Sequence, residues 1–286
     1  MPAGAGGRYW LNYLGLTHLS GGEKNFHLLN SATIAPIGHL RIKKAVENLP
    51  MGEKRLFDID EVVNRHADFL DYANQMGAIA GGATGAGGEA PKLVLRLTDN
   101  DKVWIDHQQL ADGSYDAQDS YYLVKFPRGA RSEIDCDILR AEYHFYQELA
   151  SLGFDTIETT QMRLIEGERY PSLWLPRFDV SQNTKGKTQR LAMESVYAML
   201  KQQPATRLYH GQTLELGGRY NFIAICESLL DLIEPSILLE ELKQTAEKLV
   251  DLPNRLQQRG VSEKILSHPA IAFDYLPKRL QDWGLI

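Results

Sequence analysis

YYLVKFPRGARSEIDCDILRAEYHFYQELASLG, residues 121–153, changes its period halfway. YYLVKFP reads as a strand ended by Pro127 and Gly129. CDILRAEYHFYQELASLG carries helical periodicity and meets a stop at Gly153. Two charges stand where such segments normally place apolar side chains. Lys125 shares a strand face with Tyr121 and Leu123. Glu142 falls on a stripe with Ile138, Phe145 and Leu149. A lysine buried alone in a strand is costly, so either Lys125 lies on an edge strand facing water or it has a partner. Glu142 either sits at the margin of its stripe or is a buried carboxylate in need of a counter-charge.

Upstream, GGATGAGGEAPKLVLRL (Gly81–Leu97) passes from a Gly-rich run into an alternating one. KLVLRLT, the turn DND and KVWIDH predict a hairpin. The Gly-rich run is either a phosphate loop or a flexible hinge. It is not a Walker A motif, because no Gly-Lys-Ser/Thr follows the glycines. It also departs from G-x-G-x-x-G: Gly85 and Gly87 fit, but Ala90 takes the place of the third glycine. Downstream, TTQMRLIEG and YPSLWLPRFDV predict a second hairpin around EGER. The order from 92 to 180 is strand, strand, strand, helix, strand, strand.

Residues 1–80 read as mostly helical. DIDEVVNRHADFLDYANQMG predicts one helix, capped by Asp58 or Asp60. After the polar SQNTKGK near 180–188, four segments carry helical periodicity: RLAMESVYAMLKQ, FIAICESLLDLI, PSILLEELKQTAEKLVDLPNRLQQRG and VSEKILSHPAIAFDYLPKRLQDW. Three regions result: 1–80, a strand-rich 81–182 and a helical 183–286. The fold class is α+β.

The chain has 286 residues and a net charge of −6, which argues against direct nucleic-acid binding through a general basic surface. No apolar run approaches the ~18 residues of a membrane span. Cys136 and Cys226 lie far apart and predict two ordinary thiols in a reduced, cytoplasmic protein.

GAGGEAPK (85–92), YLVKFP (122–127), RAEYHFYQELASLG (140–153), LPRFDV (175–180), RLAMESVYAML (190–200) and GVSEKILSHPAI (260–271) together resemble the HipA-family serine/threonine kinases, toxins of bacterial toxin–antitoxin modules. A Gly-rich loop, a strand lysine and a glutamate in the next helix form the layout of a protein-kinase small lobe. The resemblance implies a small lobe with an antiparallel sheet and one key helix, followed by an all-helical, shortened large lobe. It implies a phosphate loop from Gly85, Ala86, Gly87 and Gly88 to Lys92. Lys125 becomes the ATP-binding lysine and Glu142 its helix partner, with Arg177 and Phe178 at the hinge beside the adenine. Thr84 falls near a loop position that such kinases autophosphorylate. ATP and Mg²⁺ are the implied cofactors. A protein hydroxyl is the implied substrate, and an antitoxin-like DNA-binding protein the implied partner.

The chain departs from the family pattern in its helical half. Phosphoryl transfer needs a positioning Asp, an Asn for one metal and a second Asp for another. The family draws these from a segment like GNxDxHxxN and a later YD motif. HGQTLELGGRYNFIAICESL (210–229) stands there instead and predicts a missing block, joined near Gly218–Phe222. FDYLP (273–277) has the letters of a YD motif but reads better as part of an amphipathic helix. The start, MPAGAGGRYWLNYLGLT, resembles an internal stretch of longer members and predicts that their N-terminal subdomain is lacking. Two functions follow as expectations. One is a HipA-like kinase or nucleotide-binding derivative with impaired transfer. The other is a non-catalytic protein that binds an antitoxin-like partner through its helical half.

Overall fold

Alternation in KLVLRL and SYYLVK builds the central ladder, giving each strand one apolar face and one that carries charged and aromatic side chains. The computed structural model describes residues 2, 4–33, 37–47, 54–75, 90–105, 119–182, 188–194, 215–216, 219–220, 226–227, 230–231, 233–269 and 271–286. The chain divides into two units, Met1–Tyr146 with Asp155–Met193, and Gln147–Phe154 with Glu194–Ile286.

The first unit holds a six-stranded antiparallel sheet. Its strands are β1 (Phe57–Asp58), β2 (Lys92–Leu97), β3 (Lys102–Ile105), β4 (Ser120–Lys125), β5 (Arg163–Glu166) and β6 (Pro171–Pro176). They lie in the order β1-β3-β2-β4-β6-β5. Both expected hairpins form: β2 with β3 and β5 with β6. The first turns at Asp101 in the left-handed region (φ 56°). The second turns at Gly167, where a Cβ would stand 2.7 Å from Asn64 Oδ1 and 2.9 Å from Tyr170 O. β4 pairs with β2 on one side and β6 on the other, so Lys125 is not on an edge strand.

One sheet face buries Leu93, Leu95, Leu97, Val103, Ile105, Tyr122, Val124 and Trp174. It is covered by Phe57, Val62, Val63, Phe69 and Ala73. Trp174 stacks edge-on against Tyr122, and its indole N–H donates to Ser172 Oγ at 2.9 Å. The covering residues belong to β1 and to helices α4 (Ile59–Val63) and α5 (Ala67–Gln75), which follow α1 (Gly4–Tyr13), α2 (Gly21–Ala32) and α3 (Lys43–Glu47). The predicted single helix from Asp58 is therefore two. It breaks at Arg65, which adopts φ 55° and ends the i-to-i−4 ladder. Asp58 is the N-cap, as expected, and its N–H donates to Glu61 Oε2 at 2.8 Å.

The opposite face carries the residues between these: Lys92, Val94 and Arg96 on β2, and Tyr121, Leu123 and Lys125 on β4. Helix α6 (Glu133–Ser151) belongs to this side. Leu139, Tyr143 and Tyr146 cluster with Leu123, Leu173, Leu175 and Met162. The apolar stripe thus runs one position away from the expected Ile138–Phe145–Leu149 stripe, while Glu142 still lies on the sheet side. Two strands predicted as linker or helix add a small ladder, β7 (Val180–Gln182) with β8 (Thr188–Arg190). The rest of RLAMESVYAMLKQ beyond residue 194 lies outside the described residues.

In the second unit, α7 (Pro235–Val250), α8 (Leu252–Gln258), α9 (Glu263–Leu266) and α10 (Leu276–Asp282) follow a short β9–β10 ladder (Glu215–Leu216 with Arg219–Tyr220). Apart from that ladder, its described elements are helical. The helix expected across 235–259 breaks at Asp251, where Pro253 starts the next helix without an N–H to donate. Leu239, Leu242, Leu276 and Trp283 pack around Ala246, Leu280 and Leu285. FDYLP forms a short 3₁₀ turn running into α10, as the amphipathic reading expects.

The second unit also holds a buried carboxylate. Glu148 is 4% exposed. Arg255 Nε donates to its Oε2 at 2.5 Å, Arg259 donates to its Oε1, and Ser151 Oγ joins at 3.2 Å. Burial pushes the Glu148 pKa up, but the arginine hydrogen bonds outweigh it and hold the group below its ordinary value. Glu148→Ala is expected to cost about 1.5–3 kcal/mol, the range for hydrogen bonds to charged groups. The urea midpoint should fall accordingly; an unchanged midpoint would show that the cluster adds nothing.

Candidate functional site

Two lysines meet on the α6 face of the sheet. Lys92 and Lys125 are directly opposed across β2 and β4. Like charges in that register repel unless each is compensated. Lys125 donates to Glu142 Oε1, one helical turn beyond Leu139. Its side chain is 16% exposed and that of Glu142 is 30%. Lys92 Nζ donates to the Ala90 carbonyl at 3.1 Å. The misplaced strand lysine and helix glutamate are therefore partners of each other.

Helix α6 is held so that Glu142 can reach. Ser132 begins it, with its N–H and Oγ both donating to Asp135 Oδ2 at 3.0 and 2.8 Å. Arg140 donates to both oxygens of Glu166 on β5, at 2.7 and 2.8 Å. Those hydrogen bonds hold the Glu166 carboxyl below its ordinary pKa. The bidentate bridge pins the helix to the sheet two residues from Glu142.

The far end of the same face contains a group that the sequence reading passed over. Arg96 is fully buried on β2. Its guanidinium lies 4.6 Å from the Trp104 ring and 4.4 Å from the Tyr121 ring, its cross-strand neighbours. Asp119 Oδ2 stands 3.1 Å from Arg96 Nε and accepts from Trp104 Nε1 at 2.9 Å. This sandwich stiffens the sheet without touching Lys125. Its sequence signal is a charge inside the otherwise apolar run LVLRL, at a position that alternation assigns to the face opposite Leu93, Leu95 and Leu97.

The expected hinge residues separate. Arg177 follows β6, and its N–H donates to Tyr121 O at 2.9 Å. Its side chain is buried against Asp179, with Nε 2.8 Å from Oδ1. Phe178 between them is 59% exposed. The structure thus brings together Lys92, Lys125 and Glu142, places Arg177 in an internal ion pair, and leaves the Phe178 ring open. Thr84, Gly85, Ala86, Gly87 and Gly88 lie outside the described residues.

A central-strand lysine held by a glutamate of the following helix is the arrangement found in protein-kinase small lobes. The model of the HipA-like C-terminal domain matches residues 84–246, and the chain belongs to that family. Among solved structures, it is similar to HipA of Shewanella oneidensis MR-1, described in complex with HipB and operator DNA, at 15% identity and a TM-score of 0.46. That match covers 84% of this chain and 54% of the HipA chain, so this chain spans about half the length of that relative. No curated protein matches it. No described helix is long and apolar enough to cross a membrane.

Proposed function

We propose that the first unit is the nucleotide-binding lobe of a HipA-type serine/threonine protein kinase. The observation that carries the reading is the Lys125–Glu142 pair on the α6 face of a central strand. Two opposed lysines on one face suit the oxygens of a polyphosphate, and the fixed glutamate keeps Lys125 extended towards them. ATP with Mg²⁺ is the ligand this donor set fits. Lys125 would hold the phosphates, supported by Lys92 and, by resemblance, by the Gly-rich sequence Gly85–Gly88, which lies outside the described residues. The segment at Arg177–Phe178 would border the adenine, with Arg177 serving as its anchor through Asp179. In the intact family the γ-phosphoryl group passes to a protein hydroxyl. In this chain transfer is impaired, because the helical half contains no Asp followed closely by His and Asn.

A thermal melt of the whole chain with and without Mg²⁺–ATP tests the reading. A ligand that binds only the folded state, at a hundred times its Kd, adds about 2.7 kcal/mol and raises the melting point by several degrees. No shift in a cooperatively melting chain would sink the nucleotide-binding lobe. It would favour the non-catalytic reading, in which the helical half binds an antitoxin-like protein.

A further inference from the structure

A second basic site lies on the other side of the sheet from Lys125. The break between α4 and α5 places Arg65 at φ 55°, and the turn before α6 places Arg131 at φ 57°. Left-handed backbone is unfavourable for any residue with a Cβ. Both of these strained residues are arginines, and both line one cleft of about 340 Å³. His66, Arg169, Tyr170 and Glu168 line it as well. Its lining thus includes three arginines and one acidic residue, the exposed Glu168.

Arg65 and Arg131 each lie against an aromatic ring, and among the described residues neither forms an ion pair. Arg65 lies 5.4 Å from the Phe126 ring, and Arg131 lies 5.6 Å from the Tyr170 ring. Arg65 Nη1 is buried and has no hydrogen-bond partner. A buried donor without an acceptor is rare and costs its full desolvation. Burial, and then the charge of Arg131, lower the Arg65 pKa, so the two cations are near enough to repel. Neighbouring Asn64 offers no relief, since its Nδ2 donates to Asp60 and its Oδ1 accepts from the Glu168 N–H.

We propose that this cleft binds a phosphate monoester dianion through Arg65 and Arg131, with Arg169 at its rim. Forked guanidinium donors match tetrahedral oxyanions, and two excess positive charges match a dianion better than a carboxylate. The cleft has the size of a small-ligand pocket, which leaves space for the organic group carrying the phosphate.

The test titrates the full chain by calorimetry with inorganic phosphate and with O-phosphoserine, using chloride at equal ionic strength as control. Both phosphates should bind saturably, and O-phosphoserine more tightly if the remaining space is used. Arg65→Gln and Arg131→Gln should each weaken binding at least tenfold, while Lys125→Met should leave it unchanged. Arg169→Gln, on the rim, is a third variant should either of the others fail to fold. Absence of saturable binding overturns the proposal. So does loss of binding in Lys125→Met with retention in the arginine variants, which would place the anion at the nucleotide lysine. An Arg65 variant that melts lower but keeps the phosphate-induced shift would show a role in the fold alone, and would overturn it too.

Discussion

Asp179→Ala is expected to destabilise the first unit by about 3–5 kcal/mol, the cost of removing one partner of a buried ion pair. Arg177 and Asp179 side chains are each 1% exposed. The carboxylate also accepts the Gly38 N–H at 2.7 Å, while the Asp179 carbonyl accepts the Leu191 N–H at 2.8 Å. One residue therefore ties together the loop before α3, the segment that follows β6 and the residue that follows β8. Truncation strips the buried guanidinium of this carboxylate and leaves the Gly38 N–H without its acceptor. Urea denaturation at neutral pH should show the loss as a lower midpoint with little change in slope. Burial raises the pKa of Asp179, but hydrogen bonds from Arg177 and then from Gly38 outweigh it and hold the group below its ordinary value. The unfolded chain thus binds more protons than the folded one in that range, so stability rises with pH there. The contribution is complete above the ordinary aspartate pKa of about 4 and fades as pH falls through the lower folded value. Asp179→Asn keeps the shape and should flatten this acid limb. An Asn variant with the parent's acid sensitivity would place the charge effect elsewhere.

The fold was legible where the cause is local. Alternation with short polar turns marked both hairpins, and helical spacing up to Gly153 marked α6. Strand order was not legible, because pairing β4 with β2 rather than with its sequence neighbour β3 is a nonlocal choice. That choice makes Lys125 central and excludes the edge-strand alternative. It also hides the Arg96 sandwich, whose members Trp104, Asp119 and Tyr121 meet only after the strands are ordered. Periodicity failed in two further places, each decided by one residue. At Arg65 an apolar pattern continues across a left-handed break. At Pro253 the amphipathic pattern continues while the backbone hydrogen bonding cannot. The helix stripe was misread by one position, since a supporting face of about 100° admits either set. Glu142 lies on both, so its pairing was legible despite the error. Arg177 shows what a motif leaves out: the resemblance gave its place after β6, while its pairing with Asp179 needed the structure.

Lys125→Met is expected to abolish the Mg²⁺–ATP shift in melting point while leaving a cooperative melt. Methionine keeps the unbranched length that the strand face accommodates, but it carries no charge for phosphate oxygens. Glu142→Gln should act differently. The amide still accepts a hydrogen bond, yet it no longer balances Lys125, which then lies opposite Lys92 with less compensation. The loss expected is that of one charge-assisted hydrogen bond, about 1.5–3 kcal/mol, or roughly ten- to 150-fold in ATP affinity. The two substitutions should not add. With Lys125 already replaced, changing Glu142 has no phosphate ligand left to misplace, so the double variant should bind no worse than Lys125→Met alone. Additive losses in that cycle would mean that Glu142 acts on nucleotide independently of Lys125. A full shift in Lys125→Met would show that ATP binds elsewhere on the chain. The pattern of a lost shift, a partial shift and no further loss is the one expected if the lysine grips phosphate and the glutamate aims it.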